Sequence, residues 1–131
     1  DFFEAQPGQQ LHFELGRSLV GQCGSLISRV LYVKEGKHKK FVILDAGMND
    51  LLRPALYQAF HRIENLISVG EHEKYDVVGP ICESSDCFGK DRELPLTNRG
   101  DLIAIHSCGA YGEVMASRYN LRELPGSYFS R

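Results

Sequence analysis

Short apolar stretches separated by turn residues recur along most of this 131-residue chain, and this pattern constrains the fold more than any other feature. Stretches of this length, rich in β-branched and aromatic residues, are typical of strands in a sandwich or barrel. The predicted strands are Leu26–Lys34, Phe41–Asp45, Ile63–Val69, Tyr75–Cys82, Asp101–His106 and Val114–Tyr119. We therefore expect a mainly β domain with one or two short helices.

One segment between the predicted strands has helical spacing instead. Apolar residues in Leu52–Ile63 recur at helical intervals, and Pro54 suits the first turn of a helix. The end of this segment also fits strand alternation, so the alternative is a helix of a turn or two that ends near Tyr57. Turn residues at Lys34–His38 and Asn98–Asp101 predict tight connections between strands.

The charge balance excludes some classes of partner. A formal net charge of -2 argues against a dedicated nucleic-acid binder. The one basic cluster, residues 37–40, follows Gly36 and predicts an exposed hairpin turn. No apolar run approaches the ~20 residues of a transmembrane helix, so we expect no membrane partner. A soluble, cytoplasmic protein is the prediction.

Cysteine usage supports the same compartment. The chain has 4 cysteines, at Cys23, Cys82, Cys87 and Cys108, and without a secretory feature they are predicted to be free thiols. The alternative is a zinc site. Only Cys82 and Cys87 are paired closely, at the outer limit of ligand spacing, so no metal is predicted.

The densest polar run follows a predicted strand, where functional loops often lie. It contains Cys82 beside Glu83, and a thiol next to a carboxylate could donate a proton near neutral pH. The alternative, favoured by spacing alone, is that Cys82 is a small buried hydrophobic residue and Glu83 a surface acid.

Two further groups of side chains could bind a ligand. Arg53 and Tyr57 are four residues apart, hence on one helical face, and together could hold a carboxylate; an arginine lying over a tyrosine ring is the alternative. Gly109 and Gly112 flank Tyr111 and indicate a backbone that bends or approaches another segment closely. Tyr111 then projects into a site or lies exposed in a turn.

The beginning of the chain is unusual for a domain. Residues 11–13 are strand-like and run directly into Glu14, Leu15, Gly16 and Arg17, and the first residue is not Met. A lone edge strand gains little by itself. We interpret residues 1–17 as the end of a preceding domain and residues 18–131 as the β domain, cut from a longer protein.

Several motifs, taken together and in order, resemble diaminopimelate decarboxylases. They are Glu14–Arg17, Asp45–Leu51, Arg53–Tyr57, Val78–Asp86, Lys90–Arg92, Gly109–Gly112 and Met115–Asn120. The resemblance covers nearly the whole chain. It implies a lyase of lysine biosynthesis that uses pyridoxal 5'-phosphate, with an N-terminal eight-stranded α/β barrel carrying the cofactor lysine and a C-terminal β-barrel or sandwich.

The resemblance also implies roles for individual residues. Arg17 would bind a substrate carboxylate, and the backbone of Glu14, Leu15, Gly16 and Arg17 would lie near the cofactor phosphate. Leu15 stands where the family usually has a proline, which would fix the backbone angle of that turn. Tyr111 would contact both substrate and cofactor.

The remaining roles concern the amino-acid substrate. By the same resemblance, Arg53 and Tyr57 would hold substrate, Cys82 would donate the proton and Glu83 would contact the distal amino group. The family forms homodimers in which the Cys-Glu-Ser segment of one protomer enters the barrel mouth of the other. In relatives that act on other basic amino acids, the resemblance implies a Cys-Asp segment at this place. Glu83 therefore favours diaminopimelate as the substrate.

Three hypotheses remain open at this point. The lysines all lie in charged or loop contexts, whereas a Schiff-base lysine needs a desolvated pocket. This chain alone is therefore predicted not to decarboxylate, and the missing barrel would be its partner. The alternatives are a non-catalytic β-rich binding or regulatory module and a relative acting on another basic amino acid.

Overall fold

Strands account for most of the regular structure in this chain. A computed structural model describes residues 6–130. Its strands are β1 (Leu26–Glu35), β2 (Lys40–Leu44), β3 (Ile63–Asn65), β4 (His72–Val78), β5 (Cys87–Pro95) and β6 (Leu102–Ile105), with one short helix, α1 (Arg53–Tyr57). Short 3-10 turns lie at Arg17–Leu19, Gly21–Cys23, Glu113–Met115 and Tyr119–Leu121. The prediction of a mainly β domain is confirmed.

The strands form one six-stranded sheet in the order β3-β6-β1-β2-β4-β5. Neighbouring strands are antiparallel except β2 and β4, which are parallel. After β2 the chain therefore crosses to β3 at the far edge of the sheet and returns to β4 beside β2. The edge strands β3 and β5 contact each other, so the sheet curls toward a barrel.

The core lies on the inner face of this curled sheet. Alternate residues of β2 are buried, as expected when one face of a strand packs inward. The fully buried apolar side chains are Val30, Val42, Leu44, Leu51, Val77, Leu94, Ile103 and Ile105. Burying one such side chain contributes about 1.5–3 kcal/mol, so this cluster is the main source of stability.

The hairpin between β1 and β2 is confirmed. The N–H of Gly36 donates to the carbonyl oxygen of Lys39 at 2.8 Å and closes the turn. The basic cluster beside it pairs with acids of β4, because Lys39 lies 3.0 Å from Asp76 and Lys40 lies 2.6 Å from Glu73. These contacts raise the pKa values of both lysines, first of all through the hydrogen bonds to the two acids.

The helix prediction is confirmed in its shorter form. The helix ends at Tyr57 because Gln58 adopts a left-handed conformation, with φ of 53°, and its N–H donates to the carbonyl oxygen of Arg53. Strand β3 is also shorter than predicted. The side chain of Asn65 accepts the N–H groups of Ile67 and Ser68, each at 2.9 Å, and turns the chain away.

One predicted strand is wrong, and one strand of the sheet was not predicted. Residues 114–119 form no strand: 3-10 turns lie at each end of the segment, and Val114 is 80% exposed. Strand β5 was missed because charged residues interrupt its alternation, although Phe88 and Leu94 near its ends are buried. The strand predicted over residues 75–82 corresponds to β4, which begins earlier, at His72, and ends before Gly79.

The segment before the first 3-10 turn lies outside the sheet. Residues 9–16 have no regular secondary structure and are exposed. Residues 1–5 lie outside the described residues, so the assignment of 1–17 to a preceding domain stays a prediction. From Arg17 onward the chain makes two 3-10 turns that lead into β1.

Candidate functional site

Arg53 lies against two tyrosine rings. It begins α1, and Tyr57 ends the same helix one turn later. Its guanidinium carbon is 5.1 Å from the ring centre of Tyr57 and 5.4 Å from that of Tyr111, in the range of a cation–π contact. The guanidinium thereby joins α1 to the loop after β6. Both rings remain about half exposed, at 59% and 50%.

The donors of Arg53 are only partly used. Its Nε is buried and has no hydrogen-bond partner among residues 6–130. No described residue accepts a hydrogen bond from its two Nη atoms either. A planar guanidinium with available donors, held between two phenol groups, is suited to bind a carboxylate.

Tyr111 reaches this position through an unusual backbone. Its φ of 63° is left-handed, which L residues rarely adopt. A Cβ on the neighbouring Gly112 would overlap with the carbonyl oxygen of Cys108, so only glycine fits there. The close backbone approach predicted from the two glycines is confirmed.

Gly109 fixes the segment that carries Arg17. Its N–H donates to the carbonyl oxygen of Gly21 at 3.0 Å, and the N–H of Cys108 donates to that of Gly24 at 2.8 Å. A Cβ on Gly109 would overlap with the carbonyl oxygen of Val20. The 3-10 turns at 17–23 and the loop bearing Tyr111 are therefore packed backbone against backbone.

His61 lies within range of the charges of Arg17 and Arg53. Its pKa is lowered, first because the ring is buried and further because of the positive charges of Arg53 and Arg17. Nδ1 donates to the carbonyl oxygen of His106 at 2.8 Å, while Nε2 is buried with no partner among the described residues. The buried imidazole is thus close enough to both guanidinium groups for their charges to disfavour its protonation. We call Arg17, Arg53, Tyr57, His61 and Tyr111 the arginine cluster.

Cys82 and Glu83 lie on a separate loop, residues 79–86, which we call the thiol loop. Both side chains are exposed, so the interpretation of Cys82 as a buried hydrophobic residue is wrong. The loop is held by Asp86, whose carboxylate accepts the N–H groups of Met48 at 2.7 Å and Ile81 at 2.6 Å. Burial raises the pKa of Asp86, and these hydrogen bonds act against that rise.

Tyr119 contacts the thiol loop and was not predicted as a site residue. Its hydroxyl donates to Oε1 of Glu83 at 2.6 Å. The pKa of Tyr119 is raised, first by this hydrogen bond and by the charge of Glu83, and also by the nearby Cys82. The only sequence signal was its place in the motif Met115–Asn120.

The two groups of predicted site residues are not in contact within one chain. In the described part of the chain, no hydrogen bond, ion pair or cation–π contact joins Cys82 or Glu83 to the arginine cluster. They are linked indirectly: the N–H of Met48, five residues before Arg53, donates to Asp86 of the thiol loop.

The residues present fit one side of a pyridoxal phosphate site but not the covalent attachment. Lys39 and Lys40 are held in ion pairs, and Lys34, Lys37, Lys74 and Lys90 are exposed, so none is desolvated. The segment Glu14–Gly16, by contrast, is exposed next to the first 3-10 turn. Backbone N–H groups of an exposed segment can donate hydrogen bonds to a phosphate.

Residues 6–130 show neither a metal centre nor a membrane-spanning helix. They contain no group of three or more His, Cys, Asp or Glu side chains placed to share a metal ion. All four cysteines are free, as predicted. The described helices include none with the length and apolar character of a membrane span.

This geometry defines a mainly β domain whose loops present arginine, tyrosine, thiol and carboxylate side chains. Residues 18–109 match the family model described as "Pyridoxal-dependent decarboxylase, C-terminal sheet domain". The chain belongs to this family, as the resemblance in its motifs indicated.

Curated relatives carry a more specific name. The chain is 69% identical over 125 residues to the diaminopimelate decarboxylase of Bacteroides thetaiotaomicron, covering 95% of this chain and 32% of that protein. It is 55% identical over 111 residues to the Helicobacter pylori enzyme of the same name, covering 83% and 27%. The chain therefore spans less than a third of the length of these relatives.

Solved structures give the same result. The diaminopimelate decarboxylase of M. jannaschii superposes with a TM-score of 0.82 at 49% identity, covering 84% of this chain and 25% of that one. The H. pylori enzyme, solved as a complex with L-lysine, superposes with a TM-score of 0.77 at 57% identity, covering 83% and 27%.

Proposed function

We propose that this chain is the C-terminal portion of a diaminopimelate decarboxylase that converts meso-2,6-diaminopimelate to L-lysine and CO2 in the cytoplasm. The observation that carries the proposal is the Arg53 guanidinium, which lies within 5.4 Å of two tyrosine rings and has donors available for a carboxylate. The names of the relatives support the substrate.

Substrate binding divides between the two groups of residues. Arg17, Arg53 and Tyr57 bind carboxylate, because guanidinium forks and a phenol hydroxyl donate hydrogen bonds to anionic oxygens. Glu83 binds the distal ammonium group through its charge. A substrate with an amino-acid centre at each end needs both kinds of group, which favours diaminopimelate over amino acids with a simple cationic side chain.

The reaction needs a proton donor as well as an electron sink. When bound, pyridoxal phosphate withdraws the electron pair that departing CO2 leaves on carbon. The Sγ of Cys82 delivers the proton to that carbon as a positioned general acid. The backbone of Glu14, Leu15, Gly16 and Arg17 would hold the cofactor phosphate, and Tyr111 would contact both cofactor and substrate.

The site is completed by other polypeptide segments. The thiol loop and the arginine cluster are separate within one chain, and this supports a homodimer in which each active site takes its thiol loop from one protomer and its arginine cluster from the other. A preceding α/β barrel, whose end would be residues 1–17, supplies the cofactor lysine. Residues 18–131 are the β domain.

The absence of a desolvated lysine in residues 6–130 supports the prediction that this chain alone does not decarboxylate. The length of the parent reading frame tests whether an upstream barrel supplies the cofactor lysine. About 250 upstream residues, the size of an α/β barrel, are expected. A parent protein without them would instead favour the non-catalytic binding module.

The test of the chemistry uses the full-length protein with bound cofactor. Cys82→Ala should lower kcat for lysine formation by about 100-fold or more, the usual contribution of a positioned acid. Cys87→Ala is the matched control, because that thiol is half buried and lies outside the loop tip. Equal turnover in the two variants would rule out Cys82 as the donor.

A further inference from the structure

We infer that Tyr119 is a positioning residue that orients the Glu83 carboxylate toward the distal ammonium group of the substrate. The inference rests on the proposed function. It assigns a role to a residue outside the set predicted from the sequence.

The hydrogen bond between the two residues carries the argument. The phenol hydroxyl of Tyr119 donates to Oε1 of Glu83 at 2.6 Å, the length of a strong O–H to carboxylate bond. Within the described residues nothing donates to Oε2. One oxygen is therefore held by Tyr119, while the other is available to a cationic ligand.

Glu83 needs such a partner because its own surroundings are open. The side chain is exposed on the thiol loop, and a glutamate in water rotates about three side-chain bonds. A single neutral donor fixes the carboxylate without cancelling its charge. A lysine or arginine in the same place would compete with the substrate ammonium group.

The segment around Tyr119 is itself held in place. The N–H of Ser117 donates to the carbonyl oxygen of Asn49 at 2.9 Å, and the guanidinium of Arg122 donates to that of Asp45. Tyr119 is thus fastened on both sides to the segment that precedes α1, and it bridges that segment to the thiol loop.

The backbone after Tyr119 is strained, which is a second, independent observation. Asn120 and Leu121 both have left-handed φ, of 61° and 59°. Leucine rarely adopts this conformation, and Leu121 is 99% exposed, so burial of its side chain does not offset the strain. Strain of this kind persists where the surrounding structure fixes a functional side chain.

The test compares steady-state kinetics of full-length holoenzymes with meso-diaminopimelate. Tyr119→Phe should raise KM about tenfold, the effect of losing one hydrogen bond to a charged group, and leave kcat within about twofold. Tyr128→Phe is the matched control, because that tyrosine belongs to the same tail and is 96% exposed. Its KM should equal that of the wild type.

A double-mutant cycle shows whether Tyr119 acts through Glu83. Once Glu83→Gln has raised KM, adding Tyr119→Phe should have little further effect. Fully additive changes, an unchanged KM in Tyr119→Phe, or a fall in kcat alone would each overturn the inference. A wild-type enzyme inactive on diaminopimelate would instead overturn the proposed function, and this inference with it.

Discussion

The carboxylate of Asp86 accepts the backbone N–H of Met48 at 2.7 Å, and so joins the thiol loop to the segment that leads into Arg53. The same carboxylate accepts the N–H of Ile81 at 2.6 Å. Asp86 is buried, whereas the other thiol-loop side chain that reaches Met48, the exposed Ser85, makes only a weak 3.4 Å hydrogen bond to its Sδ. The spacing between the thiol loop and α1 therefore depends mainly on the Asp86 carboxylate.

Replacing Asp86 tests this dependence. Asp86→Asn retains one acceptor oxygen, but its NH2 group would face a backbone N–H, leaving a buried donor unpaired. A loss of about 1–3 kcal/mol in the free energy of unfolding is expected. Denaturant unfolding measures it. Asp91→Asn is the control: its side chain is 66% exposed, and the change should stay within about 0.5 kcal/mol.

Gly79 leaves room for that carboxylate. A Cβ on Gly79 would overlap with both carboxylate oxygens of Asp86. Gly79→Ala should therefore displace Asp86, lower the melting temperature and reduce turnover by moving Cys82. Gly126→Ala, where the nearest atom would be 3.5 Å from the added Cβ, should change neither quantity. Normal stability of Gly79→Ala would contradict the packing described.

Substrate binding should depend on the planar shape of the Arg53 side chain and not on its charge alone. Arg53→Lys keeps a cation but loses the planar fork and the stacking on Tyr57 and Tyr111. In the full-length enzyme, KM for diaminopimelate is expected to rise about tenfold with Lys and further with Met. Arg99→Lys is a matched control, since Arg99 also lies over a tyrosine, Tyr32, but far along the chain from α1. If Arg53→Met binds substrate normally, the carboxylate assignment fails.

His61 should make stability depend on pH. Burial lowers its pKa in the folded state, so below about pH 6.5 the unfolded chain binds a proton that the folded protein does not. Its contribution to stability is therefore complete above about pH 6.5 and declines as the pH falls. The raised pKa values of Asp50 and Asp86 act in the opposite direction at lower pH.

His61→Asn tests this contribution, because asparagine can still donate to the carbonyl oxygen of His106 but does not titrate. Unfolding midpoints at pH 7.5 and 5.5 should differ less in the variant than in the wild type. His38→Asn, in the exposed hairpin turn, should keep the wild-type difference. If the difference in unfolding midpoint between the two pH values is the same in His61→Asn as in the wild type, the pKa of His61 is not lowered in the folded protein.

Strands with clear alternation were predictable from the sequence, and those defined by their neighbours were not. Strands β1, β2 and β6 coincide closely with apolar runs, because each places apolar side chains in the core. Strand β5 carries Lys90, Asp91, Arg92 and Glu93 through its middle, and it is a strand because β4 pairs with it. Cross-strand pairing is a long-range contact that no local pattern encodes.

The site was predictable only in part, for a similar reason. Arg53 and Tyr57 share a helical turn, so their proximity follows from spacing, and glycines indicated the close approach around Tyr111. The roles of His61 and Tyr119 depend on contacts with residues 45 and 36 positions away in the sequence, His106 and Glu83. Such contacts exist only once the sheet has formed.

The parallel pairing of β2 with β4 has a kinetic consequence. The intervening chain, residues 45–71, carries Arg53, Tyr57 and His61 and must reach the opposite edge of the sheet before β4 can pair. Closing so long a connection is slow, because the chain loses conformational entropy before the stabilising contacts form. Ligand-binding geometry should consequently arise among the last events of folding, and partly assembled chains should lack affinity for substrate altogether.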